Sequence, residues 1–179
     1  TKIIDDYDGV LVSDYGKGVL TFNLTQSLIK TANRANRKVL VDPKGVNYLK
    51  YKGAYLLTPN KREASEATQV AIKDDESLLQ AIKQLKNECD LDISLITLSE
   101  QGVAIYDNEL RIHPTVTKEV FDVTGAGDCF MAAFVYGLTK GYTHKKCLEV
   151  AVKGSTESVK HAGTYILKET DIQKRTVFT

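Results

Sequence analysis

Short apolar runs alternate along the chain with segments whose apolar residues recur at helical spacing. Residues 9–14 (GVLVSD), 38–42 (KVLVD), 54–58 (AYLLT) and 92–99 (DISLITLS) carry little polar alternation and read as buried strands. Pro43 and Pro59 stop the second and third of these, since proline has no N–H to give a ladder. Between them, residues 21–37 place Phe22, Leu24, Leu28, Ile29 and Ala32 near a helical repeat. Residues 61–68 and 75–89 read as two further helices, the second lined on one face by Leu78, Leu79, Ile82 and Leu85. Residues 102–114 read as a hairpin turning at Asp107-Asn108, and 129–141 and 144–163 as helices, the last broken near Gly154.

Strands without alternation, separated by helices, predict an α/β fold: a mostly parallel sheet with helices on both faces. Ligands on such sheets gather at the carboxyl ends of the strands. Asp14, Asp42, Asn60 and Ser99 follow the four strands at those ends. With 179 residues the chain suffices for one domain. Lys and Arg number 24 against 23 Asp and Glu, a balance that favours neither nucleic acid nor an anionic membrane as partner. No apolar run has the length of a membrane span and no signal peptide opens the chain. Cys89, Cys129 and Cys147 have no Cys-x-x-Cys spacing, so neither zinc nor a disulfide framework is expected, and the cytoplasm is the expected compartment. The chain opens on Thr1 next to a strand-like segment, which suggests a fragment.

Residues 119–130 (EVFDVTGAGDCF) carry the candidate chemistry. A strand-like run at 119–123 meets Gly125, Ala126 and Gly127, and Asp128 stands at the start of an apolar helix. Glycines let a ligand approach the backbone, and the unpaired amides of a first helical turn attract anions. An aspartate there fits two roles: a helix cap, or a general base beside a bound phosphate. Neither a P-loop nor a Gly-x-Gly-x-x-Gly turn after the first strand is present, which disfavours a P-loop nucleotidase and a dinucleotide oxidoreductase.

The motif FDVTGAGDCF resembles the C-terminal signature of the ribokinase-like (PfkB) carbohydrate kinases. TPNKRE resembles that family's Asn-x-x-Glu pattern and ITLSEQG its nucleotide-binding strand end, and the three stand in the family's order. SDYGKGVLT, VLVDPKG and YLLTPN are most similar to the branch of the family that phosphorylates a heptose phosphate. The resemblance runs through nearly the whole chain and fades after Thr164.

It implies one partial ribokinase-like kinase domain over residues 1–179, lacking the family's N-terminal part and small β-sheet lid. It implies ATP and Mg²⁺ as cofactors and a small sugar phosphate as the other partner, with a homodimeric full-length protein and a fused adenylyltransferase domain in many relatives. Asp128 would be the catalytic base, with the amides of Gly125, Ala126 and Gly127 around the transferring phosphoryl group. Asn60 and Glu63 would order the metal and its waters, although the same spacing also makes a capping box. Thr97, Ser99 and Gly102 resemble the nucleotide loop, Ser99 standing where glycine is frequent; Gly154, Ser155 and Ser158 fall where the family lines its adenine pocket. Lys44 would neutralise phosphate charge, and Asp14 and Lys17 would face the acceptor sugar. Asp122, Thr124 and the residues near Gly163 correspond to a monovalent-cation site of some relatives. Two alternatives stay open, a PfkB-type kinase for another sugar and a nucleotide-binding module without catalysis.

Overall fold

In the computed structural model six strands form one sheet in the order in which they occur along the chain. The structure describes residues 3–115 and 122–173. They fall into two units, Thr1–Pro114 and Thr115–Thr179.

The first unit holds the sheet. β1 (Gly9–Ser13) leads through α1 (Phe22–Arg34) to β2 (Lys38–Asp42), and a 3-10 turn at Tyr48–Tyr51 leads on to β3 (Leu56–Leu57). Next come α2 (Lys61–Thr68), α3 (Asp75–Glu88), β4 (Ile93–Thr97), β5 (Val103–Tyr106) and β6 (Leu110–His113). β1 to β4 pair in parallel, whereas β5 and β6 form the expected hairpin and pair antiparallel. β3 is shorter than the five residues expected. Its flanks still extend the pairing, because Tyr55 donates to Val39 O at 2.8 Å and Thr58 to Val41 O at 3.0 Å.

Local chemistry sets the helix starts. Thr21 caps α1 by accepting from the Leu24 amide, and Asp74 and Ser77 close a capping box on α3. The apolar stripe of α3 (Leu78, Ala81, Ile82, Leu85) packs with Ile29 and Ala32 of α1 and with Ala64 of α2. All belong to one core with Val12, Val39, Val41, Leu57, Ile96 and Ala104 of the sheet. Truncating a fully buried side chain such as Ile82 to alanine costs about 2–5 kcal/mol in such a core. The intervening strand residues Leu40, Leu56, Ile93, Leu95 and Ile105 are equally buried, which explains why the strand sequences do not alternate.

The second unit holds α4 (Ala126–Thr139), α5 (His144–Ser158) and α6 (Glu169–Gln173). α4 starts three residues before the expected Cys129 and so takes Asp128 into its first turn. α5 runs unbroken through Gly154, because the glycine sits at a close contact rather than a bend. A Cβ at that position would lie 2.9 Å from Leu167 Cδ2 and 3.0 Å from Ala133 Cβ. Gly137 does the same for α4, where a Cβ would lie 3.0 Å from Cys147 Sγ. Of the strand-like run expected at 119–123, residues 119–121 lie outside the described residues, and Asp122 and Val123 are not in a strand. All three cysteines are free and buried. Among the described residues no helix is long and apolar enough to cross a membrane.

Candidate active site

In the first unit the carboxyl ends of the parallel strands carry a connected set of polar side chains. Asn60 caps α2: its Oδ1 accepts from the Glu63 amide at 2.9 Å, and Glu63 Oε2 accepts from the Asn60 amide at 3.1 Å. The capping-box reading of this pair is therefore realised, and it does not exhaust Glu63. Its second oxygen, Oε1, takes the Lys44 ammonium at 2.8 Å. The hydrogen bond and charge of Glu63 raise the pKa of Lys44 above its ordinary value. Lys44 is half exposed, so this pair adds little stability and can exchange partners.

Asn60 also bridges in parallel to Thr97, the last residue of β4. Ser99 then opens a 3-10 turn with φ +53°, and Gly102 closes it with φ +100°. Both lie in the left-handed half of the map. The glycine takes this freely, while the serine does so at a cost of about 1–2 kcal/mol.

Asp14, just beyond β1, is 7% exposed. Its Oδ1 accepts from the Gly16 amide at 2.7 Å, and its Oδ2 from Lys50 Nζ at 2.5 Å and Tyr51 Oη at 2.7 Å. Burial works against its charge, but the hydrogen bonds from Lys50, Tyr51 and Gly16 outweigh that and hold the carboxyl below its ordinary value. Sequence reasoning assigned Asp14 to the acceptor sugar; in the structure its oxygens are taken up by protein donors. Lys50 and Tyr51 were not foreseen. The signal available was the tyrosine pair three apart in YLKY, the spacing that a 3-10 turn brings to one side. Lys17, in the same DYGKG loop, is exposed and makes no side-chain bond among the described residues.

The second unit presents a different surface. Gly125 stands at the N-cap of α4 with φ +75° and no side chain caps the helix. Asp128 is the third helical residue, so the reading of it as the cap is not borne out. It is exposed, and among the described residues its carboxylate joins no hydrogen bond or ion pair. A Cβ at Gly127 would meet nothing within 4 Å, which leaves the backbone there open to close approach. Asp122 is brought to Gly163, whose amide it binds at 2.8 Å, with its other oxygen on the Thr124 amide at 2.9 Å. Thr124 and Gly163 hold the Asp122 carboxyl below its ordinary value. On α5, Gly154 faces Ala133 and Leu167, Ser155 is half-buried, and the buried Ser158 donates to Ser155 O at 2.8 Å. Among the described residues no group of three or more His, Cys, Asp or Glu gathers as a metal cage.

Known proteins resemble this chain in sequence and in fold. Residues 10–171 match the pfkB family of carbohydrate kinases. The Bifunctional protein HldE of Aliarcobacter butzleri is 60% identical over 137 residues, covering 76% of this chain and 29% of that protein. The Bifunctional protein HldE of Sulfurimonas denitrificans is 58% identical over 140 residues, covering 78% and 29%. The chain thus spans about three tenths of the length of these curated relatives. Among solved structures, Arabidopsis thaliana ribokinase complexed with ribose and ATP superposes with a TM-score of 0.80 at 23% identity, over 91% of this chain and 53% of that one. Escherichia coli phosphofructokinase-2 in complex with potassium gives 0.81 at 18% identity, over 96% and 58%. At such identities the likeness speaks for the fold, and the expected ribokinase-like architecture is present. With the family signature spanning nearly its whole length, the chain belongs to the pfkB family of carbohydrate kinases.

Proposed function

We propose that this chain is the nucleotide-binding and base-bearing part of a kinase that transfers the γ-phosphoryl group of ATP to the anomeric hydroxyl of D-glycero-β-D-manno-heptose 7-phosphate. The product is the 1,7-bisphosphate, a precursor on the way to ADP-heptose and the lipopolysaccharide core. The observation that carries the reading is the unpaired, exposed carboxylate of Asp128 in the first turn of an uncapped helix. In the proposed step Asp128 takes the hydroxyl proton as the sugar oxygen bonds to the γ-phosphorus. The bond from that phosphorus to the β,γ-bridging oxygen breaks, and ADP leaves. The amides of Gly125, Ala126 and Gly127 hold the charge on the transferring oxygens.

Asn60 and Glu63 offer oxygen donors of the kind a hard divalent cation accepts, through water and alongside phosphate oxygens. Bound Mg²⁺ would neutralise phosphate charge. Lys44, whose ammonium rests on Glu63, would turn it to the phosphates. Thr97, Ser99 and Gly102 are the nucleotide residues we assign in the first unit, and Gly154, Ser155 and Ser158 of α5 are the adenine residues we assign in the second. Lys17, exposed in the DYGKG loop, would meet the acceptor phosphate. The word bifunctional in the relatives' name, together with their greater length, supports a fused adenylyltransferase domain in the full-length protein, which we expect to be a homodimer. A nucleotide-binding module without catalysis would have no use for a bare carboxylate at that helix start.

The test is Asp128→Asn in the full-length protein. Transfer from ATP to heptose 7-phosphate should fall roughly 10²–10⁴-fold, the range of a general base, while MgATP affinity stays within about twofold. Undiminished turnover overturns the assignment. The 179 residues alone should turn over far more slowly than the full-length protein, because positioning of both substrates dominates phosphoryl transfer.

A further inference from the structure

We propose that Asp14, Lys50 and Tyr51 form a positioning network whose role is to set Lys44 for phosphate binding. The inference rests on the reading above that Lys44 and Glu63 face the nucleotide phosphates. Lys50 and Tyr51 are assigned no contact with a reactant, and the oxygens of Asp14, which the sequence sets toward the acceptor sugar, are taken up by protein donors.

The contacts form one connected path. The Tyr51 hydroxyl donates to Asp14 Oδ2 at 2.7 Å, with Lys44 O a longer second acceptor at 3.3 Å, and its oxygen accepts from the Lys44 amide at 3.0 Å. The ionised Asp14 thereby decides which way the Tyr51 hydroxyl points, and Tyr51 decides where the Lys44 backbone sits. Asp14 Oδ1 holds the Gly16 amide, and Gly16 lies against the Lys44 stem: a Cβ there would be 3.3 Å from Lys44 Cγ. Lys44 is thus fixed at its amide by Tyr51 and flanked at its stem by Gly16, and its ammonium rests on Glu63. Lys50 supplies the charge that keeps Asp14 ionised, and Gln26 holds the Lys50 carbonyl at 3.2 Å from α1.

Stability alone gives no reason for this arrangement. A buried ion pair is expensive to desolvate, and well-packed apolar residues of similar volume often stabilise a fold as well or better. What apolar residues cannot do is fix a hydroxyl's orientation and, through it, a neighbouring loop. The two loops joined through Asp14 are DYGKG and DPKG, the ones that present Lys17 and Lys44 at the carboxyl end of the sheet.

The test uses Tyr51→Phe, which removes the hydroxyl while keeping the ring that packs edge-on against Tyr48. MgATP affinity of the full-length protein is measured by calorimetry, a readout independent of the acceptor sugar. Tyr51→Phe should weaken MgATP binding about tenfold. In a Lys44→Met background the same change should have no further effect, because the network acts through Lys44. Wild-type affinity in Tyr51→Phe overturns the proposal. Equal fold losses with and without Lys44 overturn it too, since a general loosening of the fold would act in both backgrounds. Failure of the wild-type protein to bind MgATP would sink the kinase reading, and this inference with it, and is distinguishable from either result.

Discussion

The carboxyl end of the sheet and the amino end of α4 are built on opposite terms. At the sheet, Asp14, Lys44, Asn60 and Glu63 are all engaged with one another or with neighbouring protein groups. At α4, among the described residues, no side chain caps the helix at Gly125 and Asp128 has no hydrogen-bond or ion-pair partner. On the proposed roles, the contrast follows from what each region would do. Groups that bind phosphate and metal gain from being held in place, because ordering them on binding would cost affinity. A base must keep an open lone pair for an incoming proton, and a hydrogen bond from the protein would occupy it. The first region therefore carries stability as well as chemistry, while the second should carry chemistry almost alone.

The comparison breaks first at Asp128. Asparagine there should remove roughly 10²–10⁴ of the transfer rate and leave the urea midpoint nearly unmoved, since an exposed acid in a first turn contributes only about 0.3–1 kcal/mol through the helix dipole. Large unfolding without loss of transfer would reverse the contrast. At the sheet the order is the opposite: Asp14→Asn should cost about 3–5 kcal/mol at neutral pH, because it leaves Lys50 without its partner in a largely buried site.

The pH dependence sharpens this. Asp14 has a folded pKa below its ordinary 3.8, so its contribution is present above that value and is lost as pH falls through the lower folded value. Urea midpoints of wild type and Asp14→Asn should therefore converge on acidification below about 3.8 and stay apart at higher pH; a constant gap would argue against the ion pair as the cause. A smaller effect is expected at the α4–α5 contact. Gly137→Ala would put a methyl 3.0 Å from Cys147 Sγ and 3.1 Å from its Cα, at a cost of about 1–3 kcal/mol. Smallest, Asn60→Ala should lose the capping box of α2 for about 1 kcal/mol, with a higher Mg²⁺ requirement for transfer if Asn60 also orders the metal's waters.

Much of this molecule was legible in one dimension. The alternation of apolar runs and helical stripes marked four parallel strands, the hairpin and the main helices, because burial on both faces removes polar residues from a strand and burial on one face spaces them along a helix. Asn60 followed by Glu63 was legible as a capping box for the same reason, the two partners being three residues apart. TGAGD identified the helix start where Asp128 stands. What the chain alone determined was thus the main elements, their order and the family, all written in local spacing.

Only the tertiary structure decided which polar groups meet. Asp14 finds Lys50 and Tyr51 across 36 and 37 residues, and Lys44 finds Glu63 across 19. No periodicity encodes such pairs; they arise because parallel strands bring successive carboxyl ends side by side after each crossover. The same holds for Gly154, whose place inside an unbroken helix depends on the bulk of Ala133 and Leu167 opposite it. It holds also for Asp128, which became an uncommitted carboxylate rather than a cap because Gly125 took up the left-handed turn three residues earlier.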